Sequence, residues 1–230
     1  ASRGLGDVYK RQFPTSDLVT GPDIIFFWVA RMIMAGYRFQ HDKPFSNVFF
    51  TSIIRDKIGR KMSKSLGNSP DPLDLIANYG ADGLRFGLMR IAPTGTDVRF
   101  DENQISEGRN FANKLWNASR FILMNIGDED IKCELPANLA LEDKWVISLY
   151  NDLVKEVTDN LEKFELGMAV AKLYDFIWDV FCDWYIEIAK IRLQKGGSEA
   201  KDAKQVLVWV MSNTLTLLSL IHISEPTRRS

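Results

Sequence analysis

The second half of the chain carries a long helical pattern, and this pattern constrains the fold more than any other feature. Between Asp101 and Gly127, apolar residues recur at steps of three and four, the spacing of one helix face. Two further helices are predicted at about 142–163 and 167–195, and a fourth begins after Gly196. Because short turns join antiparallel neighbours, the sequence predicts a four-helix antiparallel bundle.

The first half alternates between helix, strand and loop. An apolar helix is predicted from Ile24 to about Gly36, where glycine gives a stop signal, and its side chains are expected to be buried. The apolar run from Asn47 to Ile54 predicts a strand buried on both faces. This order is typical of a nucleotide-binding α/β sheet, although the segment is too short to form a whole one.

Two short helices are predicted after the strand. Asp71 is a candidate N-cap, followed by Pro72 at the first helical position and by Gly80 as the end. A second short helix then follows, with Asp82 near its start. The chain is therefore expected to combine an α/β part with an all-helical part.

Domain boundaries follow from these changes in pattern. We expect an α/β part at 13–90, a loop-like connector at 91–102 and the helix bundle, incomplete, at 103–219. Residues 1–12 and 220–230 have no clear period, and we expect both ends to be non-native.

Composition sets wide limits on function. The 230 residues carry 29 Lys and Arg against 30 Asp and Glu, a formal charge of −1, which argues against unspecific coating of nucleic acid or anionic membrane. The most apolar run, Ile24 to Met34, is interrupted by Arg31 and is shorter than the roughly 20 residues that span a bilayer. Cys133 and Cys182 lack the spacing of a zinc site or a disulfide framework, so a reducing cytosol is expected.

One short loop concentrates positive charge. Gly59 to Asn68 reads "GRKMSKSLGN", with cations at Arg60, Lys61 and Lys64. Its serines offer hydroxyl donors, and its two glycines permit unusual backbone angles. A loop of this kind after a strand suits a polyphosphate, although the spacing is not that of a P-loop. The alternative is a solvated basic turn or a peptide-recognition patch.

The full string resembles the second signature of the class I aminoacyl-tRNA synthetases. In that family the loop closes over ATP, which is bound with Mg²⁺, and its lysines stabilise the departing pyrophosphate. The resemblance implies that Lys64 is the main catalytic cation and that Lys61 is its partner. It also implies that Met62, Ser63 and Ser65 belong to the ATP-binding loop.

The resemblance extends from about 13 to 218. The strings "PTSDLVTGPDIIFFWVARMIM", "GADGLRFGLM" and "GRNFANKLWNASRF" are similar to the valyl members of that class. This implies that Gly21 and Asp23 contact the ATP ribose and the amino acid region, and that Ile24 and Trp28 line the amino-acid pocket. The alternative for Ile24 and Trp28 is core packing, and for Asp23 a helix N-cap.

The same resemblance carries expectations about partners. The chain is expected to hold the C-terminal half of a Rossmann-like catalytic domain and an anticodon-binding bundle, and to be inactive alone. The whole enzyme would be a monomeric cytoplasmic ligase that joins valine to tRNA(Val) through valyl-adenylate.

The first bundle helix is expected to present a tRNA-binding face. Asn113, Asn117 and Arg120 recur at steps of four and three, which places them on one face, and Arg109 and Trp116 are nearby. The alternative is a solvated polar stripe with Trp116 in the bundle core. A second aromatic cluster is expected to be core, and it comprises Trp178, Phe181, Trp184 and Tyr185.

Two departures from the family keep other functions open. The two histidines, His41 and His222, do not form the His-x-Gly-His signature that the class needs, and the editing domain of the valyl enzymes is missing. The alternatives are an isoleucyl or leucyl enzyme, a tRNA-binding module without catalysis, and a helical interaction scaffold.

Overall fold

A computed structural model describes residues 12–91 and 97–221, with side chains described as far as Leu218. Strand β1, Thr15–Thr20, pairs in parallel with β2, Phe45–Phe50, from Thr15 opposite Phe45 to Thr20 opposite Phe50. The sequence pattern did not predict β1. A parallel pair needs a crossover connection, and a helical segment supplies it.

That helical segment is longer and less regular than predicted. It comprises a 3₁₀ turn at Pro22–Ile24, a π-helix at Ile25–Val29, helix α1 at Ala30–Ala35 and a π-helix at Gly36–Gln40. The predicted stop at Gly36 is wrong, because the helical path ends at His41, whose φ of 58° is left-handed. Gly36 serves close packing instead: an added Cβ would lie 2.9 Å from the Asp42 carbonyl oxygen and 3.0 Å from Cδ of Pro44.

The predicted burial of this segment is also wrong. Phe26 is 82% exposed and Trp28 60% exposed, whereas Val29 and Gly36 are the buried residues of the segment. The apolar pattern indicated a buried helix, but no element among the described residues packs over this face.

The predicted strand from Asn47 to Ile54 is two strands. Strand β2 ends at Phe50, and β3, Ile54–Arg55, pairs in parallel with β4, Val98–Arg99. Burial on both faces is wrong as well, because only Phe45 of β2 is buried. The irregular backbone between the two strands lies at 51–53, and the β-rich composition of the run did not predict it. Strand β4 lies within the connector that was expected to be loop-like, whose residues 92–96 are outside the described residues.

The predicted ends are confirmed for two helices, and the predicted start is confirmed for a third. In α2, Pro72–Tyr79, the N-cap Asp71 accepts a hydrogen bond from the backbone N–H of Leu73 at 2.8 Å, and Gly80 ends the helix. Helix α3 spans Ala81–Ile91, and α4 spans Glu102–Ile126 between Asp101 and Gly127.

Helices α3 and α4 approach each other through glycines. An added Cβ at Gly108 would lie 2.4 Å from the carbonyl oxygen of Gly83, and one at Gly87 would lie 2.8 Å from that of Gln104. Four buried apolar residues cover the same junction, and they are Leu75, Leu84, Phe100 and Ile105. The α/β part therefore packs directly on the first bundle helix.

The remaining helices form the predicted bundle with one irregularity. Helix α5 is Leu141–Glu162, α6 is Leu166–Asp175, α7 is Ile186–Lys195 and α8 is Gly197–Ile221. A ten-residue π-helix, Phe176–Tyr185, joins α6 to α7. The fully buried core includes Val146, Val157, Leu173, Ile177, Phe181, Leu207 and Val210.

The two expectations about non-native ends fall mostly outside the described residues. Helix α8 continues to Ile221 and so includes the first two residues of the expected tail. No helix within residues 12–91 and 97–221 is both long and apolar enough to cross a membrane.

Candidate functional site

One carboxylate folds the basic loop. Asp56, which follows β3 and is buried, accepts hydrogen bonds from the backbone N–H of Arg60 at 2.7 Å and of Ile58 at 3.2 Å. It also accepts from Nε of Arg60 at 2.8 Å and from Nδ2 of Asn68 at 2.9 Å. The Asn68 hydrogen bond is the largest cause that holds the pKa of Asp56 well below its usual range; burial opposes it, and Arg60 reinforces it. Asp56 is therefore ionised at neutral pH.

Asn68 ties the far end of the loop to its middle. Its Oδ1 accepts from the backbone N–H of Ser63 at 2.8 Å, and its Nδ2 also lies 3.3 Å from the carbonyl oxygen of Lys61. Sequence reasoning missed the roles of Asp56 and Asn68. The available signal was an Asp directly after a strand and an Asn at the loop's end, since both types readily bond nearby backbone groups in turns.

The two serines of the loop face each other. Oγ of Ser63 lies 2.7 Å from Oγ of Ser65 and accepts from the backbone N–H of Ser65 at 3.2 Å. A short 3₁₀ turn, Lys64–Leu66, follows and ends at Gly67, whose φ of 62° is left-handed. Gly59 has a φ of 87°, so the predicted unusual angles are confirmed at both glycines.

The two predicted catalytic lysines lie in different settings. Nζ of Lys61 is 3.2 Å from Oδ2 of Asp23, so the structure brings the loop to the start of the first helical segment. Lys64 is exposed and makes no ion pair with any residue in the part of the chain that the structure describes. Met62 is half-buried and packs on the apolar cluster between α2, α3 and α4.

The residues predicted to bind ATP ribose and the amino acid lie at the start of the helical segment. Asp23 is in the first 3₁₀ turn, where Gly21 takes the N-cap position, so the N-cap alternative for Asp23 is wrong. An added Cβ at Gly21 would meet nothing within 4 Å, and its φ is an ordinary −80°. Ile24 and Trp28 are exposed, which contradicts the core-packing alternative for both.

The predicted tRNA face of α4 is solvent-exposed. Trp116 is 72% exposed, so the alternative that places it in the bundle core is wrong. Asn113, Asn117 and Arg120 are exposed as well. Nη1 of Arg109 donates to the carbonyl oxygen of Asn78 at 3.2 Å, so this end of the face lies against α2. Arg120 lies eleven residues along the helix, at about 16 Å.

The second aromatic cluster is core in part. Phe181 and Tyr185 are fully buried, and Trp178 is half-buried beneath Nζ of Lys114, 3.9 Å from the ring centroid. Trp184 is 64% exposed, so the core prediction is wrong for this residue. The aromatic residues of this stretch surround the helix, and the bundle covers only one side. Trp184 lines a shallow groove with Leu141, Trp145 and Ile188.

Two family models match the chain. The model described as "tRNA synthetases class I (I, L, M and V)" matches residues 6–101, which include β1, the first helical segment and the basic loop. The model described as "Anticodon-binding domain of tRNA ligase" matches residues 143–225, which include most of the helix bundle.

Several similar curated proteins are valine–tRNA ligases. Valine–tRNA ligases from Fusobacterium nucleatum and Thermotoga maritima are each 52% identical, over 90% and 91% of this chain. The Clostridium acetobutylicum valine–tRNA ligase is 50% identical over 93% of the chain. The chain spans about a quarter of the length of these relatives, 24% in each case.

Solved structures share the fold at low identity. A LeuRS–tRNA–LeuAMS ternary complex from Agrobacterium radiobacter is 18% identical, with a TM-score of 0.70 over 91% of this chain and 26% of the other. A Mycobacterium tuberculosis methionyl-tRNA synthetase in complex with methionyl-adenylate is 24% identical, with a TM-score of 0.72 over 94% of this chain and 42% of the other. The chain belongs to the class I tRNA synthetases, with valine–tRNA ligases among its relatives.

Proposed function

We propose that this chain supplies part of a valine–tRNA ligase, which activates valine with ATP and transfers it to tRNA(Val). One observation carries the proposal: Lys61 of the basic loop meets Asp23 at 3.2 Å, so two segments predicted to bind ATP adjoin. The valine–tRNA ligases at about half identity support the choice of amino acid.

Charge movement in the first step explains why the loop is basic. The carboxylate of valine attacks the α-phosphorus of ATP, the bond to the bridging oxygen breaks, and pyrophosphate leaves with the electron pair. Cations that already face the leaving group lower the barrier, because negative charge accumulates there in the transition state. Lys64 and Lys61 supply these charges, Ser63 and Ser65 supply hydroxyl donors, and Mg²⁺ arrives with ATP as part of the substrate.

Before substrate binds, Lys61 of the loop is paired with Asp23. When ATP enters, Asp23 exchanges Lys61 for the ribose hydroxyls, and Lys61 turns to the phosphates. Gly21 allows ATP to approach the backbone, since contacts within the described residues give no other reason for a glycine there.

The remaining predicted residues bind the other partners. Ile24 and Trp28 form one wall of the valine pocket, and their exposure leaves them accessible to a ligand. The exposed face of α4 binds tRNA, with Trp116 stacking on a base and Arg120 contacting phosphate. The whole enzyme works as a monomer in the cytoplasm.

The test replaces the matching segment of the Thermotoga maritima valine–tRNA ligase with residues 13–218 of this chain. In this chimera, Lys64→Ala is expected to lower kcat of valine-dependent ATP–pyrophosphate exchange at least about 100-fold, the usual cost of one preorganised donor. Valine binding is expected to change less than about twofold, because the lysine acts mainly in the transition state. Lys57→Ala, on an exposed lysine seven residues earlier, is the matched control. Unchanged exchange in the Lys64 variant contradicts the proposal.

A tRNA-binding module without catalysis is the second candidate, and the exposed Trp116 favours it as much as it favours the ligase. Such a module would bind tRNA with a steep dependence on salt, because phosphate contacts release counterions. It would also leave the chimera inactive with every amino acid, so the exchange assay separates the two candidates.

A further inference from the structure

The basic loop is closed by two side chains that the proposed chemistry does not use. Asp56 precedes the loop and Asn68 ends it, and Nδ2 of Asn68 donates to Oδ2 of Asp56 at 2.9 Å. This hydrogen bond joins positions twelve residues apart and turns the open segment into a ring.

We propose that Asp56 and Asn68 are positioning residues, which fix the backbone of the loop in the shape that presents Lys61 and Lys64. They act through the loop and do not touch substrate. The effect on catalysis rests on the proposed function, whereas the effect on loop shape does not.

The hydrogen bonds of Asn68 hold the backbone on both sides of Met62, next to Lys61. Asn68 holds both neighbours of Met62, the carbonyl oxygen of Lys61 at 3.3 Å and the backbone N–H of Ser63 at 2.8 Å. The backbone direction on each side of Met62 is therefore fixed by one amide group. Met62 itself is anchored in the apolar cluster below, so three successive residues are fixed while Lys61 projects outward.

Asp56 fixes the first turn of the same loop. It accepts from two backbone N–H groups, from Nε of Arg60 and from Asn68, which occupies both of its oxygens. Its own backbone N–H donates to the carbonyl oxygen of Arg60 at 3.0 Å. Removing the carboxylate leaves several donors unpaired in one small region, so the loop is expected to open locally.

The first experiment uses the 230-residue chain and limited digestion with trypsin, which cleaves after lysine and arginine. Asp56→Asn and Asn68→Asp are each expected to speed cleavage after Lys61 and Lys64 about tenfold, since each loses or repels a bonded partner. Asp74→Asn, at an exposed position on α2, is the control and is expected to leave the rates unchanged. Peptide masses identify the cut, and the thermal unfolding midpoint separates local opening from global destabilisation.

The exchanged pair D56N/N68D tests the hydrogen bond between the two residues more directly than the single changes do. The amide at position 56 can then donate to the carboxylate at position 68, which still accepts from the N–H of Ser63. Cleavage is expected to stay within about tenfold of the original rate, because the hydrogen bond between the pair is restored while the bonds to Nε of Arg60 and the carbonyl oxygen of Lys61 are not. A double variant that opens as much as the two single changes combined overturns the proposal, as do single variants that open no faster.

The second experiment places the same variants in the chimera with the Thermotoga maritima enzyme. Each single change is expected to lower kcat for valine-dependent exchange at least about tenfold with KM for valine unchanged, because the loop acts in the transition state. The exchanged pair is expected to lower kcat less than the two single changes would together, because one of the lost hydrogen bonds is restored. If the unmodified chimera is active and none of the three changes lowers its kcat, the positioning role is overturned. An inactive unmodified chimera contradicts the proposed function, and the trypsin rates then decide the loop-closing role alone.

Discussion

At the scale of single residues, Asp143 is the most heavily bonded side chain of the helix bundle. It is fully buried at the start of α5, and it accepts from the phenol of Tyr185 at 2.7 Å and from Nη1 of Arg192 at 2.7 and 2.8 Å. The backbone N–H of Ala140 donates to its second oxygen at 3.0 Å. Burial, reinforced by the charge of Asp143, raises the pKa of Tyr185, so the phenol remains a donor. This carboxylate links the start of α5 with the end of the π-helix and the last turn of α7.

Replacing this carboxylate is expected to destabilise the bundle strongly. Asp143→Asn leaves the guanidinium of Arg192 buried without its main counter-charge, which costs about 3 kcal/mol in the free energy of unfolding. Urea denaturation followed by circular dichroism measures this loss. Asp159→Asn, at an exposed position on the same helix, is expected to stay within about 0.5 kcal/mol. A loss at Asp143 no larger than the control would show that Glu142, 3.3 Å from Arg192, takes over the pairing.

At the scale of elements, the contact between α3 and α4 depends on glycines, which have no side chain to keep the two helices apart. Gly83 and Gly108 face each other so closely that their backbones touch, and Gly87 meets the backbone near Ile105. The two helices join the α/β part to the bundle, so their spacing sets where the basic loop lies relative to the exposed face of α4.

Gly108→Ala is expected to lower the free energy of unfolding by about 2 kcal/mol. The added Cβ would lie 2.4 Å from the carbonyl oxygen of Gly83, and backbone atoms on both sides cannot give way without moving a helix. This loss outweighs the roughly 1 kcal/mol that alanine gains over glycine in a helix. The measurement is urea denaturation, with Asn110→Ala on the exposed side of α4 as the control. A stabilised Gly108 variant would mean that the helices separate at little cost.

The sequence predicted those elements that are determined by residues close together in the chain. Asp71 and Asp101 cap helices through bonds to residues two positions away, so their roles can be read without the fold. The break between β2 and β3 and the role of Gly36 depend on segments distant in the chain or on close backbone packing, which periodicity does not report. In the candidate site, the signature predicted which lysines belong to the loop. It did not predict the hydrogen bond between Asp56 and Asn68, because that bond depends on how the loop folds.

At the scale of the whole molecule, one surface differs from the rest. The apolar surface of the first helical segment comprises Phe26, Phe27, Trp28, Met34 and Phe39, each more than half exposed. No described element covers it, and the chain spans 24% of the length of a relative such as the Thermotoga maritima enzyme. We infer that other segments of a full-length relative are available to cover this surface, and that the chain by itself presents it to solvent.

The chain is therefore expected to self-associate through this surface. Burying one phenylalanine contributes about 2 kcal/mol, which corresponds to roughly thirtyfold in a dissociation constant. The double change F26K/F39K is expected to weaken association by at least that factor, measured as a fall in sedimentation coefficient at fixed concentration. Leu141→Lys, on an 83% exposed residue of the bundle, is the matched control and is expected to change little. If the control disperses the chain equally well, association is a general consequence of exposed apolar residues and does not depend on the first helical segment.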